Sequence, residues 1–75
     1  MCVQVCFKRV DEILDFVSEM ERVPFHVDAC CGSYTVDAKS IMGMMSIGIG
    51  KKVELKLYTE DNTGELEHVI GNYAA

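Results

Sequence analysis

Alternation of apolar and polar residues with a period of two marks the strands of this chain. It is clear in residues 2–8, 25–30 and 51–59, and residues 34–36 start a further strand. In the first of these stretches Val3, Val5 and Phe7 point to one side, as in a half-buried β-strand. The dipeptide Gly32-Ser33 separates the second and third strands and predicts a tight hairpin between them.

Apolar residues at helical spacing mark three helices between and after these strands. The predicted buried stripe of the first helix is Val10, Ile13, Leu14, Val17 and Met20. Pro24 closes this helix, because the residue before a proline leaves the helical region. Ser40 is the predicted N-cap of a short second helix that Gly48 and Gly50 end. After a turn at residues 61–64, the last helix has the stripe Leu66, Val69, Ile70 and Tyr73.

The order β-α-β-β-α-β-α predicts an α+β domain with two layers, in which three helices cover one face of a four-stranded sheet. The other sheet face is predicted to be open. It would carry Cys2, Gln4, Cys6, Lys8, His26, Asp28, Cys30, Lys52, Glu54 and Lys56.

Length and charge limit what such a domain can do. The chain has 75 residues, which is enough for one small domain but not for a large enclosed active site. Seven basic and 12 acidic residues give a net charge of −5, which disfavours nucleic acids and anionic lipids unless the few cations cluster. The sequence has no bilayer-spanning apolar run and no secretory signal, so a cytoplasmic protein is expected.

The four cysteines are predicted to be free thiols. Cys30 and Cys31 are adjacent, which disfavours a simple disulfide pattern, and the chain has no Cys-x-x-Cys pair. Cys2 and Cys6 would lie about 13 Å apart along one strand, too far to share a metal ion. We therefore expect no metal and no cofactor.

A family resemblance appears in the second helix, where residues 39–50 read Lys-Ser-Ile-Met-Gly-Met-Met-Ser-Ile-Gly-Ile-Gly. This stretch resembles the second-helix signature of HPr, the histidine phosphocarrier of the bacterial sugar phosphotransferase system, which typically reads Lys-Ser-Ile-Met-Gly-Val-Met-Ser-Leu. The resemblance implies that residues 1–75 form one HPr-like domain, an open-faced β-sandwich with strand order 1-4-2-3. It also implies a protein that is not itself an enzyme and that has partners among the proteins of that system.

The chain departs from the family before the first helix. HPr-like proteins carry Gly-x-His-Ala-Arg-Pro-Ala there, with the phosphorylated histidine inside it. Here Phe7 and the basic residues Lys8 and Arg9 lead straight into Val10, and the histidine is absent. The next residues, Asp11 and Glu12, would repel a phosphoryl group at the helix N-terminus and are expected to pair with Lys8 and Arg9.

Ser40 is the candidate regulatory residue, because the resemblance matches it to the serine that a kinase phosphorylates in some bacteria. The simpler interpretation is that Ser40 only caps the helix. Ile41, Met42 and Met45 are the candidate partner-binding residues, since one sheet face cannot bury a helix that is apolar nearly all round. The alternative is that these three side chains belong to the core.

Three hypotheses remain open at this point. The first is an HPr-like domain that binds a protein partner, of the phosphotransferase system or its serine kinase, without histidine phosphotransfer. The second is an active phosphocarrier with a displaced acceptor, His26 or His68, although both histidines are more simply solvated surface residues. The third is an unrelated α+β domain that shares one helix by chance.

Overall fold

The structure, a computed structural model, describes residues 1–59 and 64–74. The strands in this part of the chain are β1 (Cys2–Cys6), β2 (Val27–Cys31), β3 (Tyr34–Asp37) and β4 (Lys52–Leu57). The helices are α1 (Val10–Met20), α2 (Ile41–Ile47) and α3 (Gly64–Gly71). Their order along the chain confirms the predicted β-α-β-β-α-β-α arrangement.

The four strands form one antiparallel sheet in the order β1-β4-β2-β3, which confirms the predicted topology. The register aligns apolar residues across strands: Val5 faces Val53, and Leu55 faces Ala29. Because side chains alternate along each strand, this register gathers one apolar layer on a single face. The opposite face is the open one.

All three helices pack on that apolar face and share one core with the sheet. They contribute Ile13, Phe16, Val17, Met20, Met44, Ile47 and Ile70. At one end of the core Phe7 lies with its ring centre 5.0 Å from that of Phe16 and 5.2 Å from that of Tyr73. Burial raises the pKa of the Tyr73 hydroxyl, and the nearby carboxylates Asp15 and Glu12 raise it further.

The orientation of α1 differs from the prediction. Phe16, which the predicted stripe left out, is fully buried, whereas Val10 and Leu14 are 46% and 44% exposed. The buried residues Ile13, Phe16, Val17 and Met20 follow the i, i+3, i+4, i+7 spacing of one helix face. Leu14 follows Ile13 by one residue, about 100° further round the helix, and therefore lies at the edge of that face.

The ends of the elements shift by a few residues. Helix α1 stops at Met20 rather than just before Pro24, and the Val23 amide donates to the Met20 carbonyl at 3.0 Å in the turn that follows. Helix α2 ends at Gly48 with φ 89°, a backbone conformation that favours glycine. The predicted turn at residues 61–64 lies outside the described residues except for Gly64.

All four cysteines carry free thiols. Within the described ranges, no three His, Cys, Asp or Glu side chains are placed so that they could hold a metal ion together. The helices in these ranges are also too short, or not apolar enough, to cross a membrane.

Candidate partner-binding surface

Ser40 fixes the start of α2. Its backbone is extended, with φ −97° and ψ 118°, and its Oγ accepts a hydrogen bond from the Gly43 amide at 3.1 Å. The Ser40 amide in turn donates to the Asp37 carbonyl at 3.0 Å. This is the geometry of a helix N-cap, so the capping role predicted for Ser40 is present.

Close packing on β3 fixes the direction of α2. A Cβ atom at Gly43 would lie 3.1 Å from the Cβ of Val36 and 3.4 Å from the Ser40 Oγ, so glycine permits the close approach. On the exposed side the Ser46 hydroxyl donates to the Gly43 carbonyl at 2.6 Å and lies 2.8 Å from the Tyr34 hydroxyl. Strand β3 therefore contacts the helix at two positions three residues apart, Gly43 and Ser46.

This orientation divides the methionines and isoleucines of α2 into two sets. Met44 and Ile47 enter the core, whereas Ile41, Met42 and Met45 are 48%, 84% and 39% exposed. We call these three exposed residues the α2 patch. Flexible, polarizable methionines suit surfaces that adapt to a partner. Ile49, two residues after the end of α2, is also exposed.

Carboxylates of the chain itself occupy the N-terminus of α1. Arg9 takes the N-cap position without a side-chain capping bond, and its Nε lies 3.3 Å from the Asp11 Oδ1. The Glu12 Oε1 accepts the Lys8 backbone amide at 2.7 Å. The expected pairing of Arg9 with Asp11 is therefore present, while Glu12 bonds to the backbone of Lys8 rather than to its ammonium group.

A histidine, a carboxylate and a phenol meet on the open sheet face. The His26 Nε2 lies 2.5 Å from the Asp28 Oδ1, and the Tyr58 hydroxyl donates to the other carboxylate oxygen at 3.0 Å. The hydrogen bond to Asp28 raises the pKa of the Tyr58 hydroxyl above its ordinary value. His68 lies exposed on α3, remote in sequence from this group.

A family model described as the PTS HPr component phosphorylation site matches residues 12–69. The chain belongs to the HPr family. No match is found among curated proteins.

Two solved structures share the HPr fold with this chain. HPr-C-His from Thermoanaerobacter tengcongensis has a TM-score of 0.80 at 22% identity, over 97% of this chain and 90% of its own. The phosphocarrier protein HPr from Bacillus anthracis str. Ames has a TM-score of 0.77 at 29% identity, over 97% of this chain and 93% of its own. Membership of the family makes the third hypothesis, a helix shared by chance, wrong.

The HPr signature in α2 does not give Ser40 a free basic neighbour. Lys39 precedes it, but the Lys39 Nζ donates to the Val23 carbonyl at 2.6 Å. This bond ties the turn after α1 to the start of α2. A phosphoryl group on Ser40 would therefore meet the helix amides first, and would gain the ammonium only by breaking that tie.

The sequence wrongly predicted two exposed residues of α1 to be buried and did not single out Tyr58. Exposed Val10 and Leu14 add apolar area on α1, which packs against α2. The residue missing from the predicted stripe of α1 is Phe16. It completes the buried i, i+3, i+4, i+7 series and so moves Leu14 to the edge of the stripe. Tyr58 has no comparable local signal, because its contact with Asp28 depends on how β4 pairs with β2.

Replacing Ser40 by alanine should lower the free energy of unfolding by about 1 kcal/mol, because the Gly43 amide loses its acceptor. Ser40→Asp should retain the stability, since aspartate also caps helices well. Ser33→Ala, in the exposed β2–β3 turn, is the matched control and should change little. Urea unfolding followed by circular dichroism measures all three; equal stabilities of Ser40→Ala and Ser33→Ala would contradict the capping role.

Proposed function

We propose that this chain is a protein-binding module of the HPr family that acts without histidine phosphotransfer. Its partner is a protein of the phosphotransferase system, bound in the cytoplasm through Ile41, Met42 and Met45. The observation that carries the proposal is the N-terminus of α1. There Arg9 occupies the N-cap, and the Glu12 carboxylate accepts a hydrogen bond from the Lys8 backbone amide. Where the family places its phosphohistidine, this chain offers no histidine and adds negative charge.

Electrostatics supports the loss of transfer at this position. A helix N-terminus favours anions through its free amides and its dipole. Here Asp11 and Glu12 already lie in that field, and Arg9, the nearest guanidinium, is paired with Asp11. An incoming phosphoryl group would meet repulsion from both carboxylates and little unpaired positive charge from Arg9.

Regulation at Ser40 is part of the proposal. Phosphorylation by a serine kinase would add about 1.5 to 2 negative charges at the edge of the α2 patch. The helix N-terminus tolerates that charge, so the change should alter the choice of partner more than the fold. Ser40→Asp serves as the mimic, and its binding to the partner is compared with that of Ser40→Ala.

A displaced acceptor is the second candidate function, and one contact favours His26 for it. With the proton on Nε2 donated to Asp28, the Nδ1 of His26 keeps its lone pair and could accept a phosphoryl group. The Asp28 carboxylate that orients the ring also repels a phosphate beside it. We therefore rank this function below partner binding.

One experiment tests both functions. The protein is mixed with the purified phosphoenolpyruvate-dependent phosphotransferase enzyme and phosphoenolpyruvate, with Bacillus anthracis HPr as the positive control. Mass spectrometry at neutral pH, which preserves acid-labile phosphate, should find phosphate on the control and none on His26 or His68. The chain should nevertheless bind the enzyme and slow phosphorylation of the control by competition.

Other outcomes separate the candidates. Stoichiometric phosphate that disappears in His26→Gln would establish the displaced acceptor and reject the first proposal. The first proposal would also be rejected if the chain neither bound the enzyme nor competed with the control HPr at concentrations where that control is phosphorylated. The same assay on His68→Gln checks that any phosphate is assigned to the correct histidine.

A further inference from the structure

A pair of like charges lies at one end of the open sheet face. Asp28 on β2 and Asp37 on β3 are direct partners in the antiparallel register. Both side chains point to the open face, because Val27 and Ala29 on either side of Asp28 point into the core. Like charges directly opposite each other destabilise a sheet. The pair therefore does not serve the stability of the isolated domain.

The chain itself supplies little positive charge to these two carboxylates. The Asp37 Oδ1 accepts the backbone amide of Lys39 at 2.9 Å, a contact that leaves the negative charge unpaired. Lys56 is the register partner of Asp28 on β4. Within residues 1–59 and 64–74, however, no lysine or arginine lies at salt-bridge distance from either carboxylate. This end of the open face is therefore negative and attracts a cation.

Two aromatic rings stand beside the carboxylates and are held in place by Asp28. The ring centres of His26 and Tyr58 lie 5.3 Å apart, and each ring has a polar atom at hydrogen-bond distance from one Asp28 oxygen. The His26 side chain is 53% exposed, and Tyr58 is 54% exposed. Because the rings are already fixed, a group that stacks on them costs the protein little rotamer entropy. We call His26, Asp28, Asp37 and Tyr58 the open-face cluster.

We propose that the open-face cluster is a second docking surface, which binds an arginine side chain of a partner protein. A guanidinium group is planar, always charged and stacks on aromatic rings, so it can pair with Asp37 while it lies against Tyr58. A lysine ammonium is more strongly hydrated and stacks less well. The net charge of −5 favours a basic partner and opposes pairing of two copies of this chain.

This surface lies on the other side of the sheet from the α2 patch. All three helices pack on the apolar face, so the outward side of α2 and the open-face cluster point away from each other. A partner on one side leaves the other side free. The inference therefore goes beyond the proposed function: the domain can join an arginine-bearing protein to the protein that binds the α2 patch.

The test is a titration of ¹⁵N-labelled protein, followed by NMR, with two peptides of equal charge, Gly-Arg-Gly-Arg-Gly and Gly-Lys-Gly-Lys-Gly. The arginine peptide should shift the amide signals of residues 26–28, 37 and 58, and should bind roughly threefold more tightly than the lysine peptide. Asp37→Asn removes a charge but keeps an acceptor for the Lys39 amide, and should weaken binding roughly fivefold. Asp15→Asn, which removes an exposed carboxylate of α1, is the matched control and should bind as wild type does.

Two variants of Tyr58 test the stacking contact. Tyr58→Leu should lose the preference for arginine over lysine, whereas Tyr58→Phe retains a ring and should keep the preference. Because the side chain is half exposed, both variants should keep the wild-type melting temperature. Loss of the preference in both variants would overturn the stacking contact. Met42→Glu should bind the arginine peptide as wild type does, and this result separates the surface from the α2 patch.

Four outcomes would overturn the proposal. Equal weakening by Asp37→Asn and Asp15→Asn would mean that net charge alone explains binding. Equal affinity for the two peptides would remove the role of the aromatic rings. Signal shifts confined to the helices would place the peptide elsewhere. Tighter binding of Zn²⁺ or Mg²⁺ than of the arginine peptide, at the same signals, would make the cluster a metal site instead.

Discussion

Replacing Phe16 by alanine is expected to lower the free energy of unfolding by about 3–5 kcal/mol. Phe16 is fully buried, and its ring centre lies 5.0 Å from that of Phe7 and 5.9 Å from that of Tyr73. Removal of the ring leaves a cavity between α1, the end of β1 and the residues after α3. A domain of this size has a small stability margin, so the variant should be largely unfolded at 37 °C.

Leu14→Ala is the matched control on the same helix. Its side chain is nearly half exposed, so its loss should cost less than about 1 kcal/mol. Urea unfolding of both variants, followed by circular dichroism, gives the comparison. A larger loss for Leu14→Ala than for Phe16→Ala would mean that α1 presents the originally predicted stripe to the core.

This pair of residues shows where sequence patterns reach their limit. Ile13, Val17 and Met20 were placed correctly, because residues near the middle of an apolar stripe are buried in any nearby rotation of the helix. Leu14 and Phe16 lie on opposite edges of that stripe. Their burial depends on a rotation of a few tens of degrees, which the sheet and the tyrosine after α3 determine.

The strands were easier to predict than the contacts between them. In β4, Val53, Leu55 and Leu57 alternate with polar residues, and a period of two leaves only one choice of buried face. The strand order, however, came from the resemblance of residues 39–50 to HPr, because alternation alone does not specify neighbours. Antiparallel pairing of β4 with both β1 and β2 brings residues far apart in sequence side by side.

Side-chain contacts across elements depend on that non-local register. The hydrogen bond from Tyr58 to Asp28 joins the residue after β4 to β2, and the bond from Lys39 to the Val23 carbonyl joins two loops. In contrast, the Ser40 cap is local, since donor and acceptor are three residues apart, and the sequence predicted it. Contacts between residues close in sequence can therefore be predicted from the sequence, whereas contacts between distant residues can be predicted only once the fold is known.

Replacing Met42 by glutamate is expected to weaken binding to the phosphotransferase enzyme by about 2 kcal/mol, roughly thirtyfold in Kd, while the melting temperature stays unchanged. Met42 is 84% exposed, so a carboxylate at this position remains hydrated in the free protein. In the complex, the same carboxylate would lose water inside the apolar contact without gaining a partner, and that desolvation opposes binding.

Two variants of the same charge complete the test by titration calorimetry and thermal unfolding. Gln4→Glu places the added charge on the open sheet face and should bind as wild type does. Met44→Glu buries it in the core, where Met44 is 1% exposed, and should unfold the domain. Equal weakening by Met42→Glu and Gln4→Glu would remove the α2 patch from the interface. Unfolding by Met42→Glu would instead make Met42 part of the core. The contact is assigned to the outward side of α2 only if Met42→Glu stays folded and binds more weakly while Gln4→Glu binds as wild type does. Met42 and Met44 then report on opposite sides of one helix.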